Sequence, residues 1–116
     1  MAHAILRGDI FSVILDPTVG KEILKTRPCV IIQNDIGNKY SPVTIVACIT
    51  SNLKRAGYPT SVFISASETG LPLDSVILLN QIRTVDKVRL KEKIGKIPPE
   101  KMNEVDEAIR ISLDLS

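Results

Sequence analysis

The chain has 116 residues, 44 % of them apolar and 24 % charged, with six Gly, seven Pro and two Cys. A chain of this length buries about two-thirds of the surface its unfolded form exposes, so one domain over residues 1–116 is expected, with no need of a disulfide or a structural metal. The longest apolar runs, Cys29–Ile32 and Ser75–Leu79, are strand-sized and well short of the roughly 20 residues of a membrane span. No apolar core of signal-peptide length opens the chain, so a cytoplasmic location is expected, where disulfides are rare.

Net charge is +2, and it is unevenly placed: residues 1–58 hold seven basic and four acidic side chains, residues 59–116 eight and nine. Lys21, Lys25 and Arg27 lie close together, as do Lys54 and Arg55. Two loop-like segments thus offer positive charge to a polyanion, or are ordinary solvated loops. Aromatic residues are limited to Phe11, Tyr40, Tyr58 and Phe63, with no Trp. A single-strand-binding platform needs several exposed rings, so any nucleic-acid binding must rest on charge and hydrogen bonds.

Residues 10–15 are β-branched and aromatic between Gly8-Asp9 and Asp16-Pro17, which predicts a strand. A long loop is expected over 16–27, then a second strand from Pro28 to Gln33 and a turn at Asn34–Asn38. A third strand is expected at 43–49, a polar loop at 50–59, a short strand at 61–64, and a turn at Glu68–Pro72. The fifth strand reads as 75–79, with Gln81–Val85 continuing the sheet, one helical turn at 87–90 and a last strand at 92–97. After Pro98-Pro99, Met102, Val105, Ile109 and Leu113 recur at helical spacing with Ala108 beside them. Glu100, Glu104, Asp106, Glu107 and Asp114 form the acidic outer face of that helix. Short strands followed by one terminal helix predict a small, strongly curved sheet or barrel capped by the helix.

The sole histidine, His3, is terminal, which disfavours a His-based dyad. Cys29 and Cys48 sit in apolar runs without metal-ligand spacing and read as buried structural thiols; neither a zinc site nor a Gly-rich phosphate loop is present. What remains is polar side chains at strand ends. Arg27 precedes the second strand, Thr50 follows the third, and Ser75, Asn80, Gln81 and Arg83 flank or follow the fifth. If the second and third strands pair as an antiparallel hairpin, Arg27 and Thr50 share an open end, where a guanidinium and a hydroxyl make an anion site. The alternative is that Arg27 pairs with a carboxylate and Thr50 caps a turn.

An ordered series runs from Arg7-Gly8-Asp9-Ile10 through Pro17, Gly20 and Arg27–Asp35 to Ser41-Pro42, Ile49-Thr50 and Pro59-Thr60. It continues with Asp74–Leu79, Gln81–Thr84, Asp86-Lys87, Arg89-Leu90 and Val105–Ala108. With this series the chain resembles the MazF/PemK family of toxin endoribonucleases, in its EndoA-like, Gram-positive-type branch. The resemblance covers roughly residues 6–113. It implies an SH3-like β-barrel of the CcdB/PemK kind with a C-terminal helix, a homodimer, and metal-independent, cofactor-free cleavage of single-stranded RNA at a short sequence.

By residue-level match, Arg27 and Thr50 take the positions of the family's catalytic arginine and threonine. Attack of a 2′-hydroxyl on the adjacent phosphate would give 2′,3′-cyclic phosphate and 5′-hydroxyl ends. Lys21, Lys25, Ser75, Asn80, Gln81 and Arg83 are the expected RNA-contacting set, with a structural role open for Ser75, Asn80 and Gln81. The plasmid-borne branch carries a carboxylate where this chain has Asn80. The implied partners are messenger RNA and a MazE-like antitoxin whose acidic, disordered C-terminal segment occludes the RNA site. A CcdB-like gyrase poison and a catalytically inactive RNA- or antitoxin-binding module are the competing readings; the former depends on a C-terminal Trp absent here.

Overall fold

The computed structural model describes residues 4–15 and 26–116. Among them the elements follow as β1 (Asp9–Ile14), β2 (Thr26–Ile31), α1 (Asp35–Tyr40), β3 (Val43–Thr50) and β4 (Ser61–Ile64). Then come α2 (Ala66–Thr69), β5 (Ser75–Asp86), β6 (Leu90–Lys96) and α3 (Pro99–Leu113), with single 3-10 turns at Leu53–Arg55 and Lys87–Arg89. The strands make one antiparallel sheet in the order β4-β5-β3-β2-β1-β6. The fold is therefore mainly β with a C-terminal helix, as the sequence predicts.

Strands β1, β2, β3 and β5 read as almost unbroken apolar runs because both of their faces are covered. Ile10, Val30, Ala47, Ile49, Ile77 and Leu79 pack toward Val105 and Ala108 of α3. On the opposite face Phe11, Val13, Cys29, Ile31, Val46 and Val85 form a second core. Within α3, Met102 and Ile109 pack partly against the first core, but Leu113, expected on the same stripe, is 56 % exposed because the last turn lies beyond it. Asp106 on the acidic outer face is tied down, accepting from the Arg7 guanidinium at 2.6 Å, while the Arg7 Nε donates to the Ile32 carbonyl.

The sheet is curved rather than closed by a β4–β6 ladder; its two edges are brought together by α2. At Gly95 of β6 a Cβ would stand 1.8 Å from the Thr69 carbonyl oxygen, so only glycine admits this approach. Gly70, at φ 89°, ends α2 in the left-handed conformation, its N–H bonded to the Ala66 carbonyl at 3.1 Å. At the other end of α2 the Glu68 carboxylate accepts from the Ser65 N–H at 2.7 Å and from its hydroxyl at 2.9 Å. These bonds, the backbone one foremost, hold Glu68 below the usual carboxylate range.

Several local expectations are corrected. Strand β2 begins at Thr26, not Pro28, because Thr26 and Arg27 pair with Ile14 and Val13 of β1. The expected 16–27 loop thus ends earlier; its remainder, with Lys21 and Lys25, lies outside the described residues, as does His3. The turn at Asn34–Asn38 is the start of α1: the Asn34 side chain accepts from the Gly37 N–H at 2.8 Å as an N-cap. Asn38 is then buried as a polar hub, taking hydrogen bonds from Thr44 at 2.7 Å and Gln33 at 3.1 Å and giving one to the Gln33 carbonyl. Likewise the Glu68–Pro72 turn falls partly inside α2, and β6 starts two residues early, at Leu90.

Two outcomes are expected. Gly95→Ala forces the α2–β6 contact apart and lowers stability by about 1–3 kcal/mol, the usual cost of overpacking, read as a shifted denaturant midpoint. Because the Glu68 pKa is lowered on folding, its contribution is fully present above the ordinary carboxylate pKa and is lost as pH falls through the lowered native value. Glu68→Gln should therefore remove part of the acid-side fall in stability when melting is followed against pH.

Candidate active site

The hairpin geometry inferred from the sequence is present. Strands β2 and β3 pair with Cys29↔Cys48, Val30↔Ala47 and Ile31↔Val46, and continuing that register two residues outward sets Arg27 opposite Thr50. The Ile32 N–H bonds to the Ile45 carbonyl at 2.9 Å, so by strand alternation it is residues 30 and 28 whose backbone groups also face β3. Residue 28 is a proline and has no N–H to give. The ladder accordingly ends at Cys29↔Cys48 and leaves the Arg27 and Thr50 strand ends parted.

The other neighbour of β3 is interrupted at the same level. Along β5 the register is Ala47↔Ile82 and then Cys48↔Leu78, so Leu79, Asn80 and Gln81 have no partner on β3. This bulge throws Asn80 and Gln81 outward as exposed residues while Leu79 remains in the core. The reading of 75–79 and 81–85 as two adjoining pieces locates this break, but both belong to one strand.

Two depressions flank the parted ends, and Arg27 and Thr50 line both. The larger, about 530 Å³, is completed by Thr26, Pro28, Ser51, Leu71, Leu73 and Ser75. The smaller, about 340 Å³, is walled by Leu15, Cys48, Arg55, Leu78, Gln81 and Arg83. In the smaller, three guanidiniums therefore meet one hydroxyl and one carboxamide, and among the described residues no carboxylate is in either lining. Among the described residues no carboxylate lies within ion-pair distance of Arg27. A third depression, about 260 Å³, adjoins through Arg55 and is lined by Tyr58, Pro59, Thr60, Ser61 and Asn80.

Local structure sets each group. The Thr50 oxygen accepts from the Asn52 N–H at 3.1 Å, so Thr50 does cap a turn, and its own proton is left to donate into the cleft. The Asn52 side chain in turn accepts from the Lys54 N–H at 3.2 Å, starting the 3-10 turn that ends in Arg55. Arg83 donates to the Leu15 carbonyl at 2.8 Å, fixing the end of β1 as well as lining the cleft. Ser75 is 4 % exposed and its hydroxyl donates to the Leu73 carbonyl at 2.9 Å, so it shapes the floor of the larger depression. Asn80 does not join Gln81 but faces the third depression.

The sequence reading passed over Arg55 as a site residue: its signal was the Lys54-Arg55 pair, and only the 3-10 turn distinguishes which of the two lines the cleft. The apolar wall of Leu71 and Leu73 carried no sequence signal. Among the described residues no group of three or more His, Cys, Asp or Glu side chains converges, and no helix is long and apolar enough to cross a membrane.

A cationic cleft at the open strand ends of a small curved sheet, backed by one helix, defines a protein that handles an extended anion. The sequence pattern of the PemK-like, MazF-like toxins of type II toxin–antitoxin systems matches residues 6–113, and the chain belongs to that family. It is 52 % identical over 109 residues to the endoribonuclease EndoA of Bacillus subtilis (strain 168), covering 94 % of each chain. Its structure is similar to an endoribonuclease in complex with its cognate antitoxin from a mycobacterial species, at 25 % identity and TM-score 0.79, over 97 % of this chain and 98 % of that one. A MazE-MazF crystal structure from Deinococcus radiodurans shares the fold at 22 % identity and TM-score 0.82, over 99 % of this chain and 100 % of that one.

Thr50→Val keeps the side-chain shape but strips the Asn52 N–H of its acceptor, worth about 1 kcal/mol. Amide exchange at Asn52 should then accelerate about fivefold, whereas Thr50→Ser should retain the wild-type protection.

Proposed function

We infer that this chain is the toxin of a type II toxin–antitoxin pair and an endoribonuclease that cuts single-stranded messenger RNA at a short sequence without a metal ion. The observation that carries this reading is the cleft itself: Arg27 and Thr50 at the parted ends of β2 and β3, with Arg55, Arg83 and Gln81 around them and, among the described residues, no acidic side chain in the lining. In the reaction the 2′-hydroxyl gives its proton to water, its oxygen bonds to phosphorus, and the bond to the 5′-oxygen, which takes a proton from water, breaks through a pentacoordinate state bearing extra negative charge. Arg27 stabilises that charge through paired N–H donors, and Thr50 donates its proton to a non-bridging oxygen. A guanidinium does not give up its proton in a protein, so Arg27 acts as a cation and not as the base. The ends formed are a 2′,3′-cyclic phosphate and a 5′-hydroxyl.

Arg55, Arg83 and Gln81 hold the flanking phosphates and sugar edges, and Lys21 and Lys25 extend the positive field along the strand. Asn80 offers a carboxamide to a base edge from the third depression. The same positive charge receives the acidic C-terminal segment of a MazE-like antitoxin, which inhibits by occupying the cleft. The protein acts as a homodimer in the cytoplasm, where its RNA is found. The gyrase-poison reading lacks its Trp, and an inactive binding module is separated from the nuclease by the following assay.

Incubation with a long defined RNA in excess EDTA should give cuts at one recurring short sequence, with cyclic-phosphate ends. Arg27→Ala should cut slower by about 10² to 10³, the usual effect of removing one preorganised donor, with its circular dichroism unchanged. Wild-type rates from that variant, or cleavage only after magnesium is added, would overturn the assignment.

A further inference from the structure

Cys29 and Cys48 take no part in the reaction above, yet they occupy the last ladder position before the strand ends, two residues inside Arg27 and Thr50. Each is the other's register partner across β2 and β3, and both are reduced and buried. Because the Ile32 N–H donates to the Ile45 carbonyl, alternation makes Val30–Ala47 a hydrogen-bonded pair and Cys29–Cys48 a non-hydrogen-bonded one. Non-hydrogen-bonded partners have Cα atoms about 4.5 Å apart, within the roughly 4.4–6.8 Å that a disulfide spans. Both side chains face the second core, and a hydrogen bond with Cys48, followed by burial, pushes the Cys29 thiol far up from its ordinary range.

The two cysteines differ in access. Cys29 is 0 % exposed in the second core, whereas Cys48, at 8 %, is part of the wall of the cleft lined by Arg27, Arg55 and Arg83. The three guanidiniums in that wall attract anionic reagents. We propose that Cys48 is a thiol-modification site and that, with Cys29 as resolving partner, it forms a reversible disulfide that shuts the cleft when low-molecular-weight disulfides accumulate. Part of this inference, the effect on cleavage, rests on the nuclease reading; the modification does not.

The chemistry balances in two exchanges. The Cys48 thiolate attacks one sulfur of an exogenous disulfide, forming a mixed disulfide and releasing one small thiolate. Cys29 then loses its proton to that thiolate and attacks the Cys48 sulfur, releasing the second small thiolate, which takes from water the proton that Cys48 gave up in forming its own thiolate. The protein dithiol is oxidised by two electrons and one small disulfide is reduced to two thiols. The mixed disulfide fills the cleft where a phosphate is to sit. The final bridge tethers β2 to β3 two positions inside Arg27 and Thr50, and between the bridge and those residues Pro28 leaves no ladder bond to hold the strand spacing.

The test uses the full chain treated with oxidised glutathione, followed by intact mass and then by RNA cleavage. Expected are a transient adduct of one glutathione, then loss of two hydrogens with no adduct. Cleavage should fall by about tenfold to a hundredfold, the scale of a small misplacement at a reacting centre, and return on adding dithiothreitol. Cys29→Ala should stop at a lasting adduct, and Cys48→Ala should stay unmodified; if Cys48→Ala does not fold, Cys48→Ser serves in its place. The proposal is overturned if the folded protein resists oxidation that a urea-unfolded sample undergoes, if Cys48→Ala is modified as fast as wild type, or if the bridged protein cleaves at the reduced rate. Reduced protein that cuts no RNA would instead count against the nuclease reading, since the mass measurement needs no RNA.

Discussion

Strand β3 has two neighbours, and its pairing with each breaks down at the same residue. On the β2 side the ladder ends at Cys48 because Pro28 has no N–H for the next bond; on the β5 side the register jumps between Ala47 and Cys48. A continuous ladder would have carried Thr50 and Arg27 on as two more members of a flat, sealed sheet. The double interruption parts the strand ends while their backbones stay anchored, Arg27 through Val13 and Thr50 through Val76. The cleft is thus a place where hydrogen bonding stops on a rigid frame, which gives its side chains both access and fixed positions.

Charge is distributed to match. Among the described residues, Asp9, Asp35 and Asp106 act away from the cleft, in holding the ends of the chain to the sheet. Asp9 is wholly buried, one oxygen accepting from the Leu6 N–H at 3.0 Å and the other facing the Lys93 ammonium at 3.2 Å in an ion pair without hydrogen-bond geometry. Asp35 accepts from the Arg7 N–H at 2.7 Å and Asp106 meets the Arg7 guanidinium, so one arginine joins the N-terminus to α1 and α3. Arg27 and Arg55 make no such pairs among the described residues, which leaves their charge directed at whatever enters the cleft.

Much of this frame is legible in the sequence, for identifiable reasons. Apolar runs bounded by Gly, Pro and Asp fix the strands to within two residues, and a hairpin between the second and third places Arg27 and Thr50 together by counting alone. The helix after Pro98 follows from its period, although the period does not reveal that Leu113 lies past the edge of the core. Asn34–Asn38 misleads because the residue types that close turns also cap helices, and only the buried contacts of Asn38 decide between them. The bulge at Asn80 and Gln81 has no glycine or proline to mark it. Gly95 looks like any strand glycine until α2 is seen against it. Ser75 is polar at a strand start, yet its hydroxyl is spent on the backbone of Leu73.

The bulge also separates two kinds of constraint. Arg27 and Thr50 stand in line with the strands, so a change there bears on both the sheet and the cleft that they line. Asn80 and Gln81 belong to no β3 pairing, and both face solvent within reach of the cleft and its neighbouring depression. Substitutions at these two positions leave every core contact and every ladder bond to β3 in place. The polar groups presented beside the cleft can therefore vary from one such protein to another while the pairing that holds Arg27 and Thr50 in place is inherited unchanged.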